Sequence, residues 1–112
     1  MVKKADYLSV GGLDEDAFPV AFNDVDFCLK LEQQGKANLL NPQAVLLHHE
    51  SKSRGYEDNP QKQARFNYER ENLLQKWGSR IQNDPWYNSN LSLEGIDYQL
   101  AFPPRKLATL EP

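Results

Sequence analysis

Apolar positions along the chain recur with a helical period in two places. In the stretch "NDVDFCLKLEQQG", Val25, Cys28 and Leu29 follow the three- and four-residue spacing of one helix face. The stretch "KKADYLSVGG" predicts a short helix or turn that ends at its glycine pair, because glycine readily takes the left-handed conformation that closes a helix. A longer helix is predicted from Gln61 to about Ile81, with an apolar stripe that comprises Phe66, Leu73, Leu74, Trp77 and Ile81.

The second predicted helix carries polar signals at both ends. Asn23 or Asp24 is expected to cap its first turn, since a side-chain oxygen there accepts hydrogen bonds from free backbone N–H groups. Gly35 is a natural stop at the other end. Cys28, the one cysteine of the chain, lies in this apolar-rich segment and is predicted to be a buried, inert thiol in a reducing compartment.

Two short strands are predicted between the second and third helices. "KANLL" and "AVLLHH" flank the turn "NPQ", and four successive apolar residues in the second stretch are typical of a strand covered on both faces. The order helix–strand–strand–helix favours an α/β fold, although so few strands cannot complete a doubly wound sheet. Residues 94–112 are predicted to form an irregular C-terminal tail, and one short strand would fit in the region after the third helix.

Length and charge narrow the functional classes. A chain of 112 residues suits one domain, and a formal net charge of −3 with scattered basic residues gives no footprint for nucleic acid. No apolar run is long enough to span a bilayer, and the N-terminal lysines are not followed by the apolar stretch of a signal peptide.

Two acidic residues near the start of the second helix are the first chemical candidates. Asp24 would face free N–H donors and the positive end of the helix dipole, where a rigid carboxylate can take a proton from an incoming hydroxyl. The alternative is that Asp24 only caps the helix and that Asp26 is a favourable first-turn acid. Spacing alone favours this alternative.

The stretch "HHESKSRG" is the second candidate. An imidazole at the end of a strand can bind a divalent cation, and strand alternation lets only one of His48 and His49 face a given site. The hydroxyls of Ser51 and Ser53 and the guanidinium of Arg54 suit a diphosphate. Two partly buried histidines followed by a solvated loop would have the same sequence, so both interpretations stay open here.

Four motifs in this order resemble one known family. "GGLDE", "NDVDFCLK", "PQAVLLHHESKSRG" and "DPWYNSNLS" are similar to the C-terminal half of inverting, family-two glycosyltransferases with the GT-A architecture, especially those that build bacterial polysaccharide or O-antigen chains. The likeness runs from about Tyr7 to Leu93. It implies that residues 1–93 form a partial GT-A-like α/β domain, the acceptor-side half of a nucleotide-diphospho-sugar transferase, with few strands and two main helices.

The resemblance also implies roles for individual residues. Asp24 would be the catalytic base that deprotonates the acceptor hydroxyl, and His48 would complete the coordination of Mn²⁺ or Mg²⁺. The substrates would be a nucleotide-sugar donor and a glycan or lipid-linked acceptor, in the cytoplasm or at the inner face of the membrane. The remaining contacts would be to the acceptor, from Gly11, Gly12, Asp14 and Glu15, and to the diphosphate, from Ser51, Ser53 and Arg54.

Members of that family carry a nucleotide-binding half with an Asp-x-Asp metal motif upstream, whereas only ten residues precede "GGLDE" here. We therefore expect a C-terminal piece of a larger transferase, inactive alone, that forms a homodimer through exposed strand edges and apolar faces. Two alternatives stay open. One is a non-catalytic interaction module, and the other is a metal-dependent hydrolase that uses Asp24, Asp26, His48 and Glu50.

Overall fold

The computed structural model describes residues 1–47, 59–95 and 98–105. Within these ranges three helices follow one another: α1 (Lys4–Ser9), α2 (Asn23–Gln33) and α3 (Pro60–Gln82). The two helices predicted from apolar periodicity are therefore confirmed, and the first stretch, predicted as a short helix or turn, is a helix. The chain packs as two compact units, and the boundary between them falls between Gln75 and Lys76, within α3. None of these helices combines the length and the hydrophobicity needed to cross a bilayer.

Helix α2 begins by backbone geometry rather than by a side-chain cap. Its N-cap is Phe22, which has a left-handed backbone (φ 63°) and makes no capping hydrogen bond through its side chain. The predicted capping role of Asn23 or Asp24 is wrong, because both residues already lie inside the first turn. At the other end, Gly35 is left-handed (φ 74°) and follows the helix as predicted.

Helices α1 and α2 are joined by an aromatic pair and by a lysine. The rings of Tyr7 and Phe27 lie 5.3 Å apart between centroids. The Tyr7 ring also fills the space beside Gly12, where an added Cβ would lie 2.9 Å from ring atoms. Lys30 Nζ donates to the Gly12 carbonyl over 2.7 Å and forms an ion pair with Asp26 at 3.3 Å. The glycine turn after α1 is thus held from both helices.

The buried face of α3 contains an acid. Glu69 lies on the apolar stripe of the helix and is completely buried (0% exposed). Of the five apolar residues predicted for this stripe, Leu73 and Trp77 are buried. Phe66 and Ile81 are half-buried, and Leu74 is exposed. The predicted stripe is therefore largely correct, but its most buried member is a carboxylate.

Residues 36–47, which we call the 36–47 segment, form no strand in the structure, contrary to the prediction. The Ala44 N–H donates to the Asn41 carbonyl over 3.1 Å at the expected turn. Apolar side chains on both sides of this turn are 82% to 94% exposed, namely Leu39, Leu40, Val45, Leu46 and Leu47. A strand needs a neighbouring strand to pair its backbone groups, and the described ranges offer none here. The α/β class of the whole domain stays a prediction.

The second unit is organised around an arginine. Leu91 and Leu100 form a single antiparallel β-bridge, so the short strand that we allowed after α3 is reduced to one bridge. The Arg105 guanidinium lies 5.5 Å from the centre of the Tyr87 ring. It also donates to three backbone carbonyls, those of Gln82, Asn88 and Leu91. The described part of the predicted tail therefore contains specific contacts.

Candidate functional site

An open cavity of about 620 Å³ is lined by α1, by one face of α2 and by the residues that follow α2. The α2 residues on its wall, at positions 24, 27, 28 and 31, are spaced by three or four, so they share one face of the helix. The volume falls within the roughly 300–1,000 Å³ that is typical of small-molecule sites. Its polar and aromatic lining includes Asp6, Tyr7, Asp24, Phe27, Cys28 and Lys36.

Asp24 lies on the rim of this cavity and is exposed. Its Oδ1 accepts a hydrogen bond of 2.9 Å from the Val25 N–H, one of the first-turn donors that have no partner within the helix. Its Oδ2 makes no hydrogen bond to any residue that the structure describes. One carboxylate oxygen is thus held by the backbone while the other has no partner among the described residues, and the side chain lines an open cavity, which is an arrangement suited to a general base.

Asp26 differs from Asp24 although it is only two residues away. It is completely buried (0% exposed), and its Oδ2 lies 3.3 Å from Lys30 Nζ. Because a helix turns by about 100° per residue, side chains two positions apart point in very different directions. Asp26 is therefore a structural acid that faces the Lys30 and Gly12 contact, and it is closed to a substrate from solvent.

The loop that leads into α2 is fastened to α3 by polar contacts. Glu69 Oε2 accepts hydrogen bonds from the backbone N–H groups of Val20, over 3.3 Å, and Ala21. Asn72 Nδ2, nearly one turn further along α3, donates to the Ala17 carbonyl over 3.1 Å. These contacts hold the backbone just before the first turn of α2.

Sequence reasoning missed Glu69. The signal was present, since Glu69 lies three residues after Phe66 and four before Leu73 on the apolar stripe. A carboxylate on a buried helix face requires a charged or hydrogen-bonding partner. The stripe alone did not reveal that backbone N–H groups of a distant loop would supply one.

Two glycines predicted to leave room for an acceptor sugar have different surroundings. Gly11 is exposed, and an added Cβ would meet nothing within 4 Å. Gly12 is buried against the ring of Tyr7. The absence of a side chain at Gly12 therefore serves packing, while any acceptor contact of either glycine stays a prediction.

The acids that follow the glycines lie on a well-ordered turn. Asp14 Oδ1 accepts a hydrogen bond of 2.9 Å from the Ala17 N–H, and Glu15 is exposed. Among the described residues of this loop, Leu13 lines the cavity, whereas Gly11, Gly12, Asp14 and Glu15 do not. The structure therefore does not bring the four predicted acceptor contacts together with Asp24 in this cavity.

The predicted metal and diphosphate ligands fall outside the described residues. This applies to His48, Ser51, Ser53 and Arg54, and to Glu50 of the hydrolase alternative. Within residues 1–47, 59–95 and 98–105, no group of three or more His, Cys, Asp or Glu side chains could hold a metal ion. The Mn²⁺ or Mg²⁺ ion implied by the resemblance thus has no ligand set in the described part of the chain.

The predicted burial of Cys28 is wrong, since this residue is exposed on the cavity face of α2, one turn after Asp24. Partial desolvation raises the pKa of the Cys28 thiol, and the negative charges of Asp24 and Glu32 raise this pKa further. The thiol is therefore protonated and weakly nucleophilic at neutral pH. Partial burial is the largest cause of the raised pKa, ahead of the two acids, and the inertness of the thiol stays a prediction.

Comparisons with known proteins place this chain beside segments of much longer polypeptides. It is 45% identical over 103 residues to an uncharacterized protein, y4gI, of Sinorhizobium fredii. It is 32% identical over 97 residues to O-antigen biosynthesis protein RfbC of Myxococcus xanthus. These matches cover 92% and 87% of the chain, but only 11% and 7% of the two relatives. No protein-family model and no solved structure matches. The chain is thus similar to one part of a protein named for O-antigen biosynthesis.

Proposed function

We propose that this chain is the acceptor-side part of an inverting glycosyltransferase of polysaccharide or O-antigen synthesis, and that Asp24 is its general base. The observation that carries the proposal is the position of Asp24 on an open cavity, with one oxygen held by the Val25 N–H and the other without a hydrogen bond to a described residue. The similarity to an O-antigen biosynthesis protein over 97 residues supports the same interpretation.

In this function Asp24 accepts the proton of the acceptor hydroxyl on its open oxygen. The hydroxyl oxygen attacks the anomeric carbon of the donor sugar from the face opposite the nucleotide diphosphate. The new carbon–oxygen bond forms as the bond between the anomeric carbon and the diphosphate oxygen breaks, and the electron pair leaves with the diphosphate. Configuration at the anomeric carbon is inverted as a consequence of this geometry.

The donor is a nucleotide-activated sugar, and the acceptor is a glycan or a lipid-linked glycan. Because the chain spans 11% and 7% of the two relatives, the donor-binding groups in this proposal include residues of a longer polypeptide. No step is assigned to a metal ion, since the described residues supply no ligand set for it. The chain alone would be inactive and would self-associate through the exposed apolar side chains of the 36–47 segment.

The test is Asp24→Asn in the complete polypeptide that carries this segment, with Asp16→Asn as the matched control. Asp16 is exposed in the loop that precedes α2 and does not line the cavity. The loss of general-base catalysis predicts a fall in kcat of about 10²- to 10⁴-fold for sugar transfer, with donor affinity unchanged by calorimetry. Normal turnover of Asp24→Asn would contradict the assignment and favour a non-catalytic interaction module.

A further inference from the structure

We infer that Glu69 is a positioning residue for Asp24, and that it acts through the backbone of residues 20–22. This inference rests on the proposed function, because it assumes that Asp24 is the base. Glu69 touches neither the cavity nor Asp24, so its effect on the reaction is indirect. The inference rests on one contact: the fully buried Glu69 carboxylate on α3 binds the backbone just before α2.

The burial of Glu69 needs an explanation. A carboxylate that is 0% exposed loses its hydration, and this loss is unfavourable unless hydrogen bonds and an opposite charge compensate for it. Glu69 has both: Oε2 accepts from the N–H groups of Val20 and Ala21, and Oε1 lies 3.3 Å from Arg65 Nε. Helix packing alone would be served by an apolar residue at this position. The specific contribution of the carboxylate is the pair of hydrogen bonds that it accepts from two successive backbone N–H groups.

The backbone that Glu69 holds enters an unfavourable conformation at the next residue. Phe22 has φ 63°, in the left-handed region that residues other than glycine rarely adopt. Its ring packs against that of Phe66, also on α3, with centroids 5.3 Å apart. Helix α3 therefore contacts this backbone in two ways, by the Glu69 carboxylate at Ala21 and by the Phe66 ring at Phe22. Strained residues of this kind persist when the surrounding structure over-determines them.

Phe22 in turn sets the start of α2. The Asp26 N–H donates to the Phe22 carbonyl over 2.9 Å, which is the first hydrogen bond of the helix. Between these two residues lie Asp24 and the Val25 N–H that holds its Oδ1. If the hydrogen bonds of Glu69 to this backbone are lost, Phe22 can relax to a negative φ. The first turn of α2 then shifts relative to the cavity. A misplacement of about 1 Å lowers the rate of a positioned reaction by roughly 10²-fold.

The experiment compares Glu69→Gln with Glu71→Gln in the complete polypeptide. Glu71 is an exposed residue of the same helix, so the control makes the same chemical change without touching the loop. Steady-state transfer is measured well below the melting temperature of both variants. We expect Glu69→Gln to lower kcat by about 10- to 100-fold and to leave KM for the donor within about twofold. Glu71→Gln should behave like wild type.

A second readout separates positioning from simple loss of stability. In hydrogen exchange by NMR or mass spectrometry, Glu69→Gln should speed exchange of the Ala21 and Val25 amides, while amides at the centre of α3 keep their rates. A fall in kcat without faster exchange at these two amides would overturn the inference, because the effect would not run through the loop. A folded Glu69→Gln protein with unchanged kcat would overturn it as well.

If Glu69→Gln does not fold, Glu69→Asp takes its place. This substitution keeps a negative charge near Arg65 but shortens the side chain by a methylene, which weakens its hydrogen bonds to the Val20 and Ala21 N–H groups. The expected result is a fall in kcat of a few-fold with faster exchange of the Ala21 amide, and an unchanged kcat would overturn the inference. The proposed function fails separately: if Asp24→Asn keeps its turnover while Glu69→Gln still loosens the Ala21 amide, the base assignment is wrong and the anchoring of the loop remains.

Discussion

The entry region of α2 (residues 12–26) and the 36–47 segment, both in the first unit, differ in what fastens them. The entry region is joined to other elements through a lysine, a glutamate and an asparagine, by way of Lys30, Glu69 and Asn72. The 36–47 segment has more large apolar side chains in succession, yet five of them are more than 80% exposed.

The contrast between these two regions shows that hydrophobicity alone does not bury a segment. Apolar side chains leave water only where another apolar surface is available, and the described part of this small chain provides none for the 36–47 segment. Polar contacts are directional, and each one satisfies a particular backbone group. In the entry region they order a stretch that buries Phe18 but contains five acids and a glycine.

The largest loss of stability in the entry region is expected when its buried acid, Asp26, is removed. Asp26→Ala leaves Lys30, which is only 16% exposed, without its carboxylate partner. Breaking a buried pair from one side typically lowers the free energy of unfolding by about 3–5 kcal/mol. Urea denaturation should show this loss, whereas Asp24→Asn should change stability by less than about 0.5 kcal/mol, since Asp24 is exposed. Equal effects of the two substitutions would contradict the contrast between these acids.

A smaller effect is expected at the glycine turn. Gly11→Ala and Gly12→Ala both force a side chain onto a left-handed backbone, with φ 75° and 68°, at a cost of about 1–2 kcal/mol each. Gly12→Ala also drives its Cβ to 2.9 Å from the Tyr7 ring, so its total should be about 1 kcal/mol larger. Thermal denaturation measures both. In a Tyr7→Ala background the difference between the two glycine variants should vanish, and its persistence would contradict the packing role of Gly12.

The cavity face of α2 can be followed through the reactivity of Cys28. Asp24→Asn removes one of the negative charges that raise the pKa of this thiol. The pKa then falls, and the thiolate fraction at any pH below the pKa increases. Alkylation by iodoacetamide at pH 7.5 should become about two- to fivefold faster, with Asp16→Asn unchanged. An unchanged alkylation rate in Asp24→Asn would mean that Asp24 and Cys28 do not share this face.

The smallest effect on stability is expected in the 36–47 segment. Leu46→Ser removes a side chain that is 92% exposed, so the free energy of unfolding of the chain should change by less than about 0.5 kcal/mol. Self-association should nevertheless weaken, because the exposed apolar surface is reduced. Light scattering after size exclusion measures this change. A monomeric wild-type chain would contradict the predicted homodimer.

The sequence predicted the helices better than their ends or the strands. Periodicity located α2 and α3, because a helix depends on contacts within four residues. The cap of α2 was misassigned, since a left-handed Phe22 is held by Glu69 and Phe66 rather than by a local side-chain signal. The strands predicted at residues 36–40 and 44–49 had the right composition, but a strand also requires a neighbour that no local pattern supplies.

Of the candidate site, local sequence signals were enough to predict that Asp24 lies near the start of a helix and that a glycine turn precedes it. Both follow from interactions between residues close in the chain. The packing of distant segments was needed to show that Asp24 is exposed, that Asp26 is buried, and that Glu69 binds the loop before α2. The N–H donors to Glu69 belong to Val20 and Ala21, which precede it by 49 and 48 positions. The burial of Glu69 and its partners therefore depend on how distant segments meet.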